Sequence, residues 1–157
     1  MRFMDFVQPE LILVDLESSD TNAIVRRLVQ ALVDAGAVED YLEIYNTLCR
    51  EETLYGSWAF LGNHNALPHT KSALVDRLWV VIGTSSQGIE WSRNDGELVH
   101  VVCLVVRAAS GPNEYLRFME DFCRIMRDET LIHFLRRCRT PTEVYELLQE
   151  AASDSDL

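Results

Sequence analysis

The sequence predicts a single layered α/β domain. Three observations carry that reading. Helix-periodic stretches open the chain and return in its last third. Two strongly apolar, β-rich runs, at 77–85 and 98–108, lie between them. And 157 residues are enough for one domain with a real core. Two helices, then strands, then three helices is the order of a layered α/β architecture. The domain is read as residues 1–150, followed by a short acidic tail at 151–157.

Each element has its own signal. Residues 10–16, ELILVDL, form a short apolar run and read as a strand. In the following SSDTNAIVRRLVQALVDAG, Ile24, Leu28 and Leu32 share one helical face, flanked by Val25, Val29 and Val33. Ser19 or Asp20 can cap its start, and Gly36 suits its C-terminal stop. A second helix is expected at 38–50, with Tyr41, Leu42, Tyr45 and Leu48 as its apolar face. Residues 53–65 show no clean period and are assigned to a loop. ALPHTKS either continues that loop or forms a short edge strand broken at Pro68. RLWVVIGTS is a strand, Asn94-Asp95-Gly96 a turn, and LVHVVCLVVRA a strand apolar on both faces, hence central. NEYLRFMEDFCRIMRD is a helix that Asn113 can cap, with Leu116, Met119, Phe122, Cys123 and Met126 on one face. DETLIHFLRRC is another. Thr140, Pro141 and Glu143 then open the last helix with a capping box and a first-turn proline. The total is three or four strands and about five helices.

The formal net charge of -11 argues against a nucleic-acid partner, which demands basic patches. It suits a basic protein partner, or simply solubility. The widely spaced Cys49, Cys103, Cys123 and Cys138 form no CxxC pair, so no zinc site is expected, and Cys103 and Cys123 read as buried thiols. The N-terminal MRFMDFVQPE contains Asp5 and lacks a long apolar core, so it does not read as a signal peptide. No run approaches a membrane span. The expected location is the cytoplasm.

The stretch GNHNALPHTK, residues 62–71, carries the chemistry. Pro68 fixes its own φ and gives the adjacent His69 a defined direction. By itself the dipeptide also fits an exposed loop histidine after a structural proline. The surrounding pattern, however, resembles the IIA proteins of the bacterial sugar phosphotransferase system. The likeness is to their fructose–mannitol class, which includes the nitrogen-regulatory IIA proteins. Arg50-Glu51 stands where that family closes its second helix, and Gly62 with Ala66-Leu67-Pro68-His69 stands for its Gly-rich loop and Pro-His. Asn94-Asp95-Gly96, the strand from Leu98, Asp128 to Leu135 and Glu143 follow in order. The resemblance covers roughly residues 10–150, a typical domain length. With the element order, it implies a mixed β-sheet flanked by helices on both faces.

The resemblance also implies a function: a phosphocarrier or regulator in which His69 accepts a phosphoryl group from a phosphohistidine on an HPr-like carrier. Such a chain is a phosphotransferase component rather than a free-standing enzyme, and needs no cofactor or metal. Arg50 would stabilise phosphoryl charge, or serve as a last-turn cation favoured by the helix dipole. Gly62, Asn63, His64 and Pro68 would line the loop around the transferred group, with backbone N–H groups as donors. Tyr115 stands at the position of the family's second active-site histidine. It offers a neutral hydrogen bond, or it is an ordinary helix-start residue. The loop also departs from the pattern, with Ala59, His64 and Asn65 in it and an Arg50–His69 spacing about three residues longer than usual.

Other readings remain beside this one. The chain can be a degenerate, non-catalytic IIA-like module that binds a regulatory target protein. A metal-dependent hydrolase built on His64 and His69 lacks a matching carboxylate or cysteine motif. His100 reads as packed in its strand and His133 as structural. The Met119, Phe122 and Met126 stripe reads as core. Trp58 and Phe60 are either exposed partner anchors or a small loop core.

Overall fold

The computed structural model describes residues 2–17, 20–91, 96–111 and 114–155. Two short 3-10 helices, Phe3–Phe6 and Pro9–Leu11, lead into β1 (Ile12–Leu13). Then come α1 (Thr21–Asp34), α2 (Tyr41–Tyr55), β2 (Trp58–Gly62), β3 (Asn65–Ser72), β4 (Trp79–Ile89) and β5 (Val99–Ala108). α3 (Glu114–Ile125), α4 (Glu129–Leu135) and α5 (Pro141–Ser155) close the chain. The strands form one sheet in the order β1-β4-β5-β3-β2. Its β1–β4 and β3–β5 pairs are parallel, and its β4–β5 and β2–β3 pairs antiparallel. The mixed sheet expected from the sequence is therefore present.

β5 sits at its centre because every residue from Val99 to Val106 is apolar or buried on both sides. Alternation along the strand divides them between two cores. Val101, Cys103 and Val105 pack with Phe118, Phe122, Leu131 and Leu148, under α3, α4 and α5. Val102, Leu104 and Val106 pack with Leu28, Leu32, Ile44 and Leu48, under α1 and α2. Helices thus cover both faces, as expected.

The helices follow their caps. Asp20 accepts from the Asn22 N–H to start α1; Ser19, the other candidate, lies outside the described residues, as do Asn113, Asn94 and Asp95. Past α1, the Ala37 N–H returns to Leu32 O, and Gly36 takes the left-handed φ of 77° that this closure requires. At α5 the Glu143 N–H donates to the Thr140 hydroxyl, which is half of the expected capping box; the Glu143 carboxylate accepts from that same hydroxyl rather than from the Thr140 N–H. Residues 151–155, read as the start of a tail, continue α5. Two expected faces are rotated. In α2, Ile44 and Leu48 are buried while Leu42 is exposed. In α3, Phe118, Phe122 and Ile125 are buried while Leu116 is exposed and Cys123 only half-buried.

Three strand expectations are corrected. β1 is two residues long: Pro9 begins a 3-10 turn on one side, and Asp15 has φ 53° on the other. Residues 53–65 are not a loop. Residues 53–55 finish α2, and Trp58–Gly62 pairs with β3 in a hairpin. Its two turn residues, Asn63 and His64, have φ 47° and 63°. Positive φ at both centres is the turn geometry that matches strand twist, normally marked by Asn-Gly. Here Asn-His supplies it, and the Asn63 amide is tied to Met126 O at 2.6 Å. Finally, Pro68 lies within β3, which is an interior strand between β5 and β2. Trp58, opposite Pro68, has both its main-chain groups served from outside the hairpin: its carbonyl accepts the Trp91 indole N–H and its N–H donates to the Glu52 carboxylate. Among the described residues no helix is long and apolar enough to cross a membrane.

Candidate functional site

His69 occupies β3 in register with Val105 of β5. Strand alternation puts Leu67, His69 and Lys71 on the sheet face covered by α3, and Ala66, Pro68 and Thr70 on the face covered by α2. The cores agree: Leu67 packs with Phe118 and Phe122, and Ala66 with Leu48 and Trp58. The His69 Nδ1 lies 3.2 Å from Leu67 O. A carbonyl oxygen only accepts, so in the neutral ring Nδ1 carries the proton and Nε2 the lone pair. The expected fixed direction of the ring thus has a physical basis, a local strand conformation plus one ring hydrogen bond.

Tyr115, in the first turn of α3, faces the imidazole with ring centroids 6.1 Å apart and planes 31° apart. Burial raises the phenol above its ordinary pKa, with the nearby Arg107 opposing the shift. The hydroxyl therefore stays protonated at neutral pH. On the same ring lies Arg107, its guanidinium carbon 4.7 Å from the centroid. Arg107 pairs in register with Lys71. A cleft of about 210 Å³ runs beside these groups, lined by Lys71, Arg77, Arg107 and Tyr115, with Asp76 and Glu114 also on its wall.

The other sequence-predicted site residues are placed differently. α2 continues to Tyr55, so Arg50 is not in its last turn, which contains no basic residue. The helix packs on the sheet face opposite the His69 ring. Glu51 accepts a hydrogen bond from the Thr70 hydroxyl there. Arg50 is exposed and makes no hydrogen bond or ion pair among the described residues. Gly62, the last residue of β2, and the turn residues Asn63 and His64 lie at the far end of β3, roughly 16 Å from His69 at about 3.3 Å per strand residue. The His64 N–H donates to Glu97, its Nδ1 is 2.7 Å from Leu98 O, and its ring lies 5.3 Å from that of His100. His64 and His69 therefore share no ligand. Among the described residues no group of three or more His, Cys, Asp or Glu could hold a metal ion.

His100 is buried, 2.8 Å from Ser85 O, and burial lowers its pKa. His133 stands on α4, 3.3 Å from an Arg137 nitrogen. Trp58 is 3% exposed and donates its indole N–H to Leu48 O, so it is core and not a partner anchor. Phe60 is half-buried against the same core. Sequence reasoning passed over Lys71 and Arg107. The signal was available: Lys71 follows His69 by two residues, and Arg107 breaks the apolar run of LVHVVCLVVRA. Both required 65–72 to be read as a strand beside β5.

Comparison with known proteins gives this geometry a context. A family model described as phosphoenolpyruvate-dependent sugar phosphotransferase system, EIIA 2, matches residues 5–151. A fructose-like EIIA component of a phosphotransferase system from Escherichia coli strain K12 is 26% identical over 141 residues, covering 89% of this chain and 93% of the relative. Among solved structures, nitrogen regulatory protein IIA-Ntr from Neisseria meningitidis superposes with a TM-score of 0.79 at 17% identity, covering 92% of this chain and 97% of that one. The mannitol IIA of Escherichia coli, solved in complex with its phosphorylated enzyme IIB, gives a TM-score of 0.74 at 20% identity, covering 92% and 97%. At these identities the structural likenesses establish the fold.

Proposed function

The chain belongs to the EIIA 2 family of the phosphoenolpyruvate-dependent sugar phosphotransferase system, and from that premise we propose that it carries a phosphoryl group on His69. The observation that carries the reading is the His69 ring: Nδ1 is held by Leu67 O, which leaves the Nε2 lone pair free in the neutral ring, and the Tyr115 ring is its neighbour. The donor is a phosphohistidine on an HPr-like carrier. The Nε2 lone pair attacks phosphorus in line as the donor's P–N bond breaks, and that bond's electron pair returns to the donor imidazole. His69 keeps its Nδ1 proton, which continues to donate to Leu67 O. No separate base is needed. The protonated Tyr115 hydroxyl supplies a neutral hydrogen bond near the transferred oxygens.

The net charge of -11 favours encounter with a basic carrier surface through steering. The mannitol relative was solved with a phosphorylated IIB enzyme, and an onward acceptor of that kind, or a regulatory target protein, completes the cycle here. The site of action is the cytoplasm, where such carriers work. A second reading, a non-catalytic interaction module, draws on Tyr115 in place of an imidazole and on the exposed, unbonded Arg50.

The test is incubation with phosphorylated carrier and its upstream kinase, followed by intact-mass measurement. One added phosphoryl group that survives base, is lost in acid and is absent from His69→Ala is the expected result. A wild-type chain that takes up no phosphate while still binding a partner selects the interaction module.

A further inference from the structure

In this acidic chain, three cations gather at one cleft: Lys71, Arg77 and Arg107. Arg107 is the unusual one. It stands next to last in the most buried strand of the sheet, is itself half-buried, and makes no hydrogen bond or ion pair among the described residues. Its protein contact is the face of Tyr115 at 4.7 Å. A partly desolvated guanidinium without a counter-ion costs free energy, and stacking recovers only part of it. Its N–H edge remains open to a ligand. Arg77, on the same wall, stacks on a different ring, 3.8 Å from the Trp79 centroid.

Lys71 completes the geometry. It pairs in register with Arg107 and shares the His69 face of β3, two residues along. Adjacent strands lie about 4.8 Å apart, and residues i and i+2 about 7 Å. Both side chains are long enough to cover that distance. The Tyr115 ring spans the gap, 6.1 Å from His69 on one side and 4.7 Å from Arg107 on the other.

We infer that Lys71 and Arg107 form an anion site beside Tyr115 that takes the oxygens of the phosphoryl group on His69. The inference rests on the phosphocarrier reading for its ligand and deepens it by naming the positive charge. Guanidinium is suited to the task because its planar donors match phosphoryl oxygens in pairs. Asp76 and Glu114 line the same cleft. Their negative charge keeps affinity for free phosphate weak, which suits a group that must be passed on.

The test has two arms. In the first, unphosphorylated protein is titrated with inorganic phosphate, with the Arg107 side-chain N–H and the Tyr115 ring followed by NMR. Saturable shifts at both, lost in Arg107→Gln and weakened in Lys71→Gln, are expected; shifts spread evenly over surface amides overturn the site. In the second, labelling rates from phosphorylated carrier are compared. Arg107→Gln should slow labelling by about ten- to a hundred-fold, the worth of one charged hydrogen bond, with partial rescue in Arg107→Lys. Equal rates in wild type and Arg107→Gln overturn the inference. If no carrier labels even the wild type, the phosphocarrier reading fails by itself. The phosphate titration then still decides whether Lys71 and Arg107 hold an anion.

Discussion

The His69 imidazole and the Tyr115 phenol face each other across the β3–α3 junction, centroids 6.1 Å apart and planes 31° apart. Position 115 therefore borders the proposed phosphoryl site, and its chemistry should be felt there. Tyr115→His places an imidazole next to the group; as a cation it stabilises developing charge better than a neutral phenol. Labelling of His69, or the lifetime of the phosphohistidine, is expected to rise up to about tenfold. Tyr115→Phe, which keeps the ring and the Arg107 stacking, should lose only a few-fold. Stopped-flow transfer from labelled carrier measures both. Equal rates for all three proteins would place the hydroxyl outside the reaction.

The two histidines of GNHNALPHTK are predicted to separate cleanly. His69→Ala should abolish labelling at a cost of about 1 kcal/mol or less, since its ring is half-buried and makes one local hydrogen bond. His64→Ala should leave labelling unchanged, because it sits at the other end of β3. It should instead lower stability by about 1 kcal/mol, since position 64 has φ 63° and its ring contacts Leu98 O and His100. His64→Gly relieves the backbone strain and should recover part of that loss. Urea denaturation paired with mass analysis separates the effects. A labelling defect in His64→Ala would contradict the placement of the turn.

Much of the architecture is legible in the sequence because its signals are local. Asp20 and the Thr140–Glu143 pair announce their helices through side chains within three residues of the start. The unbroken apolar run of β5 announces a central strand. The β2–β3 hairpin is not legible in the same way. Its turn uses Asn-His where Gly is the usual second residue, and Pro68 advertises an edge. What makes the proline tolerable is distant: Trp58 opposite it needs nothing from Pro68, because the Trp91 indole N–H serves its carbonyl and Glu52 of α2 takes its N–H. That miss propagated to the site. With 53–65 assigned to a loop, Gly62, Asn63 and His64 are expected beside His69. Only the strand assignment sends them to the far end and brings Lys71 and Arg107 alongside. What the sequence does make legible is that His69 and Tyr115 are candidates, one from its motif and the other from its place in the resembled pattern, and the fold brings the two rings together.

Gly83 tests the packing of the sheet on its α1 side. A Cβ there would overlap Leu16 Cδ1 and lie 3.3 Å from Leu28 Cδ2. Both side chains are almost fully buried, Leu16 at 1% and Leu28 at 0% exposure, so neither can swing into solvent. Gly83→Ala is expected to destabilise by about 1–3 kcal/mol, the usual cost of overpacking. Pairing it with Leu16→Val should be less damaging than the two single effects added together, because the space is shared. Thermal unfolding of the four proteins in the cycle reads the coupling. Strict additivity would mean that the backbone shifts instead.

The pH dependence of stability should contain a signature of His100. Burial lowers its folded-state pKa, and the Arg136 and His64 charges act in the same direction against the Ser85 carbonyl bond. The unfolded chain therefore takes up a proton that the folded protein resists, and stability rises with pH wherever that difference exists. Above the ordinary histidine value the contribution is complete. As pH falls below about 6.5 it is progressively lost, down to the depressed folded value. His100→Gln retains a donor for Ser85 O but cannot titrate. Its stability at pH 8 should be lower than wild type, since the replacement fills the site less well. Its slope between pH 7 and the onset of carboxylate titration should be shallower. Denaturant unfolding across that range, with midpoints and m-values compared, measures the difference. Parallel curves for the two proteins would mean that His100 is solvated enough to titrate normally, and would remove burial as the source of the shift.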